Sequence, residues 1–337
     1  MKRLKVCFVD FWEGFNPSDN FFIIFLKRYY EVEVSNNPDY CFFSNYGYEN
    51  LRFNSCIKIQ FVGENMVPDF NLTDYAIGFH HLNFDDRYFR FPLYFIYGYN
   101  FIPDGFNKVK NKVLQDSKFL LNRRFCNFVY SNSVTADPIR REFFEKLSLY
   151  KKVDSGGKYL NNIGYNINKK LDFIQDYKFT IAFENSVCEG YTTEKIFEPM
   201  VVNSIPIYYG NPLVDRDFNS DSFIWMKGPD AIKETIEEII HLDLDDAAYL
   251  EKLSQPNLTK RQLDFDWEVE LKSFFENIFN REIQTFKRAP LFGFNQVYLE
   301  ELKQMVLLRK RQKNINRWKA ALADLSYFLK IKKKVYN

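Results

Sequence analysis

The sequence has few of the residues that build metal centres and disulfide frameworks. Five Cys and three His occur among 337 residues, and neither set shows metal-ligand spacing. An odd number of scattered cysteines argues against a disulfide framework and favours a reducing, cytoplasmic compartment. These residues are Cys7, Cys41, Cys56, Cys126, Cys188, His80, His81 and His241.

Long apolar runs are absent as well. No segment approaches the roughly 18 consecutive apolar residues that a membrane span needs. The apolar start of the chain, Leu4 to Val9, is interrupted at Asp10 and Glu13, and no small-residue cleavage site follows. We interpret this start as the first strand of an α/β domain rather than as a signal peptide.

The chain also lacks a GxGxxG motif, a P-loop and any internal repeat at a fixed period, whereas aromatic residues are abundant at 19%. Short apolar strands alternate with amphipathic segments over a length sufficient for two cores. This pattern predicts an α/β protein with two Rossmann-like domains that face a cleft. We predict domains at residues 1–118 and 119–282, joined by a polar linker that opens near Pro103, and a C-terminal helical tail at 283–337.

The most informative stretch runs from Tyr177 to Gly210. Two short apolar runs, Phe179 to Phe183 and Ile205 to Tyr209, are strand-like, and Thr193 between them is a candidate helix N-cap. In parallel α/β sheets, ligands bind at the carboxyl ends of strands. The polar side chains that this order places there are Glu184, Asn185, Tyr191, Glu194 and Lys195.

This stretch resembles the signature of the α1,3/4-fucosyltransferases, glycosyltransferase family 10. The resemblance extends over roughly residues 55 to 230, while Val187-Cys188-Glu189 departs from forms of the motif that have Gly or Tyr there. It implies a GT-B architecture in which the first domain binds the acceptor and the second binds GDP-fucose. The matching segments are Phe183-Glu184-Asn185-Ser186, Gly190-Tyr191, Thr193-Glu194-Lys195-Ile196, Ser204 to Gly210, Phe61 to Asn65 and Pro68 to Tyr88.

A sugar nucleotide donor needs cations for its departing diphosphate. Arg140 and Lys195 are our candidates, because each lies just inside a predicted helix start, where free N–H groups also favour phosphate. Each alone is more often a solvated helix charge. The position of Lys195 in the motif, and the resemblance of Pro138-Ile139-Arg140 to a family segment that supplies an arginine to the donor phosphates, favour the binding role.

The reaction also needs a base for the attacking hydroxyl. The resemblance implies this role for Glu64, which follows a strand of the first domain, although a loop glutamate is usually only solvated. Glu184, Asn185, Tyr191 and Glu194 are predicted to hold the guanosine, ribose and fucose hydroxyls of the donor. Glu194 could instead be a residue that stabilises the helix dipole.

These expectations describe an inverting fucosyltransferase. It would transfer L-fucose from GDP-β-L-fucose to the 3-hydroxyl of GlcNAc in N-acetyllactosamine-type acceptors, including a lipopolysaccharide O-chain, and form Lewis-type glycans. No essential metal or other cofactor and no nucleic-acid partner are predicted. A GT-B enzyme for another nucleotide sugar, or a non-catalytic carbohydrate- or membrane-binding protein, remain alternatives.

The tail from Arg281 onward is strongly basic, with 14 Lys or Arg against 4 Asp or Glu. Trp318, Leu322, Leu325 and Leu329 recur at helical spacing. A basic amphipathic helix of this kind suits an anionic membrane, which predicts a peripheral protein on the inner face of the bacterial cytoplasmic membrane. The alternatives are that the tail packs on the catalytic body or pairs in a homodimer.

Overall fold

The computed structural model describes residues 1–131, 137–282, 287–289 and 292–335, with side chains described up to residue 319. Within these residues the chain forms an α/β protein with two separate sheets, and every described strand pairing is parallel. The strands are β1 Arg3–Val9, β2 Glu31–Val34, β3 Tyr40–Phe43, β4 Ile57–Phe61, β5 Tyr75–Gly78, β6 Tyr88–Arg90, β7 Arg124–Phe128, β8 Val153–Ser155, β9 Tyr177–Phe183, β10 Ile205–Tyr209 and β11 Ile224–Trp225.

Helices cover the faces of these sheets, as parallel strands require. A π-helical turn, Tyr97–Phe101, follows the second helix. The helices are α1 Phe21–Leu26, α2 Leu93–Ile96, α3 Gly105–Lys110, α4 Ser117–Leu121, α5 Ile139–Tyr150, α6 Lys170–Ile174, α7 Glu194–Val201, α8 Ile232–Leu244, α9 Asp246–Ser254, α10 Lys260–Asp264, α11 Trp267–Phe279 and α12 Phe294–Val335.

The first sheet has the strand order β2-β1-β3-β4-β5-β6. Its inner strands β3, β4 and β5 are buried along their whole length, which explains why they read as continuous apolar runs rather than alternating ones. All six strands run in one direction, so their carboxyl ends meet at one edge. The loop after β4 carries Glu64 at that edge.

The second sheet has the order β11-β10-β9-β7-β8. All seven residues of β9 are buried, and its last residue, Phe183, lies opposite Tyr209 at the end of β10. The two strands predicted between Tyr177 and Gly210 are thus confirmed. The predicted N-cap is confirmed too, because the Thr193 side chain accepts a hydrogen bond from the backbone N–H of Lys195.

One helix does not follow the linear order of the predicted domains. The range 119–282 was predicted to be one domain, yet α11 at its end contacts the first sheet. The ring of Phe275 lies 6.0 Å from that of Phe42 on β3, within a core to which both sheets contribute. The ring of Phe279 also lies 4.5 Å from that of Tyr40 on β3. The apolar face of a helix must be buried, but its sequence does not say against which sheet.

The C-terminal helix predicted from the sequence is present as α12. Its first turns pack on the first domain, where Leu299 and Val306 are buried beside Leu51. Further along, Leu308, Ile315 and Trp318 are exposed. Leu322, Leu325 and Leu329 lie beyond the described side chains, and residues 283–286, 290–291 and 336–337 of the predicted tail lie outside the described residues. Among the described helices, none combines the length and the apolar character that crossing a membrane requires.

A buried ion pair joins the two domains. Arg90 at the end of β6 donates two hydrogen bonds to Asp217, at 2.9 and 2.6 Å, and Asp217 is only 1% exposed. Gln262 donates a third bond to the same carboxylate at 2.8 Å. The pair lies where the end of β6 in the first sheet meets the segment that follows β10 in the second, so it links the two domains.

We expect Asp217→Ala to lower the free energy of unfolding by about 3–5 kcal/mol, because it leaves the Arg90 guanidinium without its countercharge. The double variant Arg90→Met/Asp217→Leu should recover much of that loss, since no charge is left unpaired. Urea denaturation of the three proteins is the measurement. A loss below about 1 kcal/mol in Asp217→Ala would mean that the pair behaves like a solvated surface bridge.

Candidate active site

Glu64 lies at the mouth of the cleft between two tyrosines. Its Oε1 accepts a hydrogen bond from the Tyr46 hydroxyl at 2.8 Å, and its Oε2 accepts one from the Tyr191 hydroxyl at 3.4 Å. Tyr46 belongs to the first domain and Tyr191 to the second. The carboxylate is exposed, so it remains open to a hydroxyl group that enters the cleft.

The loops on the two sides of the cleft approach each other closely. The Asn65 side chain donates a hydrogen bond to Ser186 at 2.7 Å. Gly190 has a φ of +82°, and a Cβ atom there would lie 2.5 Å from the carbonyl oxygen of Phe79. Only glycine fits this backbone conformation and this distance without strain. The approach places Tyr191, the next residue, beside Glu64.

Arg140 lies in the first turn of α5 and is 1% exposed. Its Nη2 donates hydrogen bonds to the carbonyl oxygens of Phe183 and Glu184, both at 2.8 Å, and to Oδ1 of Asn185 at 3.1 Å. Its guanidinium lies 3.9 Å from the ring centroid of Tyr130. Among the described residues, Nε and Nη1 find no hydrogen-bond acceptor. A buried cation with two unpartnered donors at a strand end is suited to an anion.

Glu184 directly follows β9 and is 1% exposed. Its Oε1 accepts from the Thr193 backbone N–H at 2.7 Å, and its Oε2 accepts from the Thr193 hydroxyl at 2.8 Å and lies 3.4 Å from Nζ of Lys195. Burial raises its pKa, although Lys195 opposes the shift. Through these contacts Glu184 holds Thr193 and Lys195 in place.

Lys195 is held between two carboxylates, since its Nζ also lies 3.4 Å from Oε1 of Glu194. Burial disfavours the ammonium form, but Glu194 and Glu184 outweigh it and hold the pKa of Lys195 well above its usual value. Burial likewise disfavours the charged form of Glu194, but Lys195 and then Lys170 lower its pKa. Glu194 is therefore a paired, mostly buried carboxylate, unlike a solvated residue at a helix start.

The seven predicted site residues form two sets of contacts. Glu64 contacts Tyr191. In the other set, Arg140 contacts Asn185 and the backbone of Glu184, and Lys195 contacts both Glu184 and Glu194.

Sequence reasoning missed four further side chains at this site: Tyr46, Tyr97, Tyr130 and Lys170. Tyr46 and Tyr130 follow the ends of β3 and β7, so the rule for strand ends would have found them. Lys170 pairs with Glu198 from a short helix, and no motif marks it. Tyr97 lies in the π-helical turn beyond α2. Such turns are frequent at functional sites, but the turn is not visible in the sequence.

A cavity of about 310 Å³ opens beside Glu64 on the first domain. Its lining is mainly aromatic and includes Trp12, Tyr46, Glu64, Tyr97 and Phe101. Within the described parts of the chain, no group of three or more His, Cys, Asp or Glu side chains is arranged to hold a metal ion.

Comparison with known proteins places these features in a family. Residues 6–97 match the alpha-(1,3)-fucosyltransferase FucT N-terminal domain, and residues 122–272 match the C-terminal part of glycosyltransferase family 10, the fucosyltransferases. The alpha-(1,3)-fucosyltransferase FucT of Helicobacter pylori is 33% identical over 290 residues, which cover 74% of this chain and 59% of that protein. The chain thus spans little more than half the length of this relative.

Two solved structures share the architecture. A crystal structure of an α1,3-fucosyltransferase with GDP superposes with a TM-score of 0.71 at 29% identity, and it covers 86% of this chain and 93% of its own. A second crystal structure of an α1,3-fucosyltransferase, with GDP-fucose, superposes with a TM-score of 0.68 at 28% identity. The match covers 84% of this chain and 92% of that one. The predicted GT-B architecture is confirmed by these superpositions. Together with the two domain matches, which cover more than half of the sequence, they show that the chain belongs to glycosyltransferase family 10, the fucosyltransferases.

Proposed function

We propose that the protein transfers L-fucose from GDP-β-L-fucose to the 3-hydroxyl of GlcNAc in N-acetyllactosamine-type acceptors, with inversion at the anomeric carbon. The observation that carries the proposal is the contact between Glu64 and Tyr191 across the cleft. It places a carboxylate of the first domain next to the segment of the second that carries Lys195. A base and a diphosphate site therefore face one another, as transfer between two bound sugars requires.

On the donor side, the task is to stabilise the negative charge that develops on the departing GDP. Arg140 has two donors without a partner among the described residues, and Lys195 supplies a second positive charge at the start of α7. Both cations are already fixed by other contacts, so little reorganisation is needed when the charge develops. In this scheme Asn185, Tyr191 and Glu194 lie where the rest of the donor binds, while Glu184 holds Thr193 and Lys195.

On the acceptor side, the aromatic cavity beside Glu64 is the place for the sugar that is fucosylated. Glu64 takes the proton of the attacking hydroxyl, and that oxygen forms a bond to the anomeric carbon of fucose. The bond from this carbon to the β-phosphate oxygen breaks, and its electron pair leaves with GDP. Attack from the face opposite the leaving group converts the β-linked donor into an α-fucoside.

Two other classes of function make different predictions. A transferase for another nucleotide sugar would share the cleft but would not bind or turn over GDP-fucose preferentially. A carbohydrate-binding protein without catalytic activity would be insensitive to the loss of Glu64. The test is incubation with GDP-fucose and a panel of N-acetyllactosamine-type acceptors, with parallel reactions that offer other nucleotide sugars. Mass spectrometry should show the addition of one fucose. Transfer of a different sugar, or no product with any donor, would overturn the proposal.

Glu64→Gln should lower turnover by roughly 100- to 10,000-fold, because the amide keeps the size of the side chain but cannot accept the proton. The affinity for GDP should stay unchanged, since the donor contacts lie in the second domain. Steady-state kinetics and calorimetry measure the two effects. Glu189→Gln, which removes an exposed carboxylate from the facing loop, is the matched control and should keep full turnover. Near-normal turnover in Glu64→Gln would eliminate Glu64 as the base.

Arg140→Ala and Lys195→Ala should each weaken GDP binding roughly tenfold or more, since each removes a charge-assisted contact to the diphosphate. Calorimetry with GDP is the direct measurement. Arg141→Ala is the control for the first variant, because Arg141 is exposed on the same helix and pairs only with Glu145 among the described residues. Wild-type affinity in both site variants would show that the diphosphate binds elsewhere.

We also propose that no metal takes part, because the two cations supply the charge stabilisation. The GDP titration and the transfer assay should therefore be unaffected by EDTA. Loss of activity on chelation, restored by a divalent cation, would contradict this.

We also propose where the protein acts and which acceptor it reaches there. We infer that α12 rests on an anionic membrane, on the cytoplasmic face, where a lipid-linked or lipopolysaccharide O-chain acceptor would be within reach. The exposed residues Leu308, Ile315 and Trp318 fall on one face of α12, opposite the face that carries Leu299 and Val306. The surrounding tail is basic, which suits anionic lipid headgroups.

The triple variant Leu308→Gln/Ile315→Gln/Trp318→Gln should lose binding to anionic liposomes at low salt, because it removes the apolar contact while it keeps the charge. Transfer to a soluble acceptor should be unchanged. Co-sedimentation with anionic and neutral vesicles is the measurement, and light scattering reports self-association. The full chain could instead fail to bind the vesicles and form a dimer that the triple variant does not form. In that case the apolar face pairs two copies of the chain, and the membrane proposal is wrong.

A further inference from the structure

The loop that carries Tyr46 is held from two sides. This loop, residues 44–52, runs from the end of β3 through the short helical turn Glu49–Arg52, and its Tyr46 hydroxyl donates to Glu64 at 2.8 Å. Burial and then the bond to Glu64 raise the pKa of Tyr46, so the phenol stays protonated and remains a donor. Whatever places this loop therefore places a proton donor on the proposed base.

Asp10 holds the loop from the inside. Its carboxylate accepts hydrogen bonds from the backbone N–H of Glu49 at 2.8 Å and of Asn50 at 2.9 Å, and from the Asn50 side chain at 2.7 Å. Its carbonyl oxygen accepts from the backbone N–H of Tyr46 at 2.9 Å. The packing is close enough that a Cβ atom on Gly47 would lie 2.3 Å from the Asp10 carboxylate.

The C-terminal helix holds the same loop from the outside. Leu299 and Val306 are 6% and 8% exposed and pack against Leu51, which is 5% exposed. Arg309 donates to the Tyr48 hydroxyl at 3.0 Å, and Nζ of Lys310 lies 3.4 Å from the Glu49 carboxylate.

The helix is also anchored beside the loop. Tyr298 donates to Asp69 at 2.9 Å, next to the segment that leads away from Glu64. The contacts with the loop and with Asp69 recur at helical spacing over residues 298–310, so one face of α12 is docked.

We propose that this docked part of α12, residues 298–310, is a positioning element of the active site: it holds the Tyr46 loop so that the Tyr46 hydroxyl orients Glu64. The proposal rests on the proposed function, in which Glu64 is the general base. It gives the basic tail a role in the chemistry of the first domain, separate from membrane contact through the opposite face.

The physical reason is that Glu64 is an exposed side chain on a loop. Its described hydrogen bonds come from two hydroxyls, and the one from Tyr46 is the shorter by 0.6 Å. An exposed carboxylate with fewer contacts would sample several rotamers, and a misplacement of about 1 Å can cost on the order of 100-fold in rate. Side chains that position a catalytic group need support from rigid elements, which a docked helix provides.

A double-mutant cycle in the full chain tests the coupling. Leu299→Asp/Val306→Asp places two carboxylates in the apolar contact and undocks the helix, while Tyr46→Phe removes only the hydroxyl. We expect each change to lower kcat roughly tenfold or more with GDP affinity unchanged, because the donor site lies in the other domain. When Leu299→Asp/Val306→Asp is added to Tyr46→Phe, kcat should fall by less than about a further twofold, because both changes interrupt the same chain of contacts. Leu308→Asp, on the exposed face of the same helix, should keep full turnover on a soluble acceptor.

Three results would overturn the inference. The first is full turnover after the helix is undocked. The second is a combined variant whose loss of kcat equals the product of the two single losses. The third is a parallel loss of GDP affinity, which would indicate general destabilisation. Arg309→Ala/Lys310→Ala removes the polar contacts without burying a charge, and it should also lower kcat. This variant decides the question if Leu299→Asp/Val306→Asp does not fold. The Glu64→Gln variant separates this result from a failure of the proposed function. Normal turnover in that variant would reject Glu64 as the general base. Independent losses in the double-mutant cycle would reject only the positioning role of α12.

Discussion

The candidate active site depends on a lysine held between two carboxylates, of which Glu184 is fully buried and Glu194 mostly buried. A buried charge is costly unless it is paired, and removal of one partner leaves the other uncompensated. Glu184 directly after β9 and Glu194 at the start of α7 therefore hold Lys195 in one place and connect the strand to the helix across the intervening loop. That loop carries Tyr191, whose hydroxyl reaches Glu64 in the other domain. One ionic cluster thus positions both the cation that we propose for the diphosphate and the contact with the opposite side of the cleft.

A second constraint is the fixed approach of the two domains. Gly190 allows the backbone of the second domain to lie against Phe79 of the first, and the Arg90–Asp217 pair joins the two domains next to this contact. The return of α11 to the first sheet adds a further contact between the domains. The geometry between Glu64 and the donor cations is therefore a property of the whole chain.

The C-terminal helix α12 has one packed face and one exposed face. The face that carries Leu299 and Val306 is packed on the first domain, while Leu308, Ile315 and Trp318 on the opposite face are exposed. Membrane contact and packing on the body were alternatives in the sequence, because a basic amphipathic pattern suits both. In the structure they are compatible, since each uses a different face.

The sequence by itself determined the first strand, the two strands between Tyr177 and Gly210, the helix capped by Thr193 and the placement of Glu184 and Lys195 near a strand end. These features follow from apolar runs, capping chemistry and the rule that parallel strands end at one edge, all of which are local. Only the tertiary structure decided that α11 packs on the first sheet, that both oxygens of Glu184 are engaged by Thr193 and Lys195, and that Lys170 joins the site. These outcomes depend on contacts between residues far apart in the chain, such as Lys170 with Glu198 or Leu51 with Val306, and a local pattern holds no information about which distant surface will be its partner.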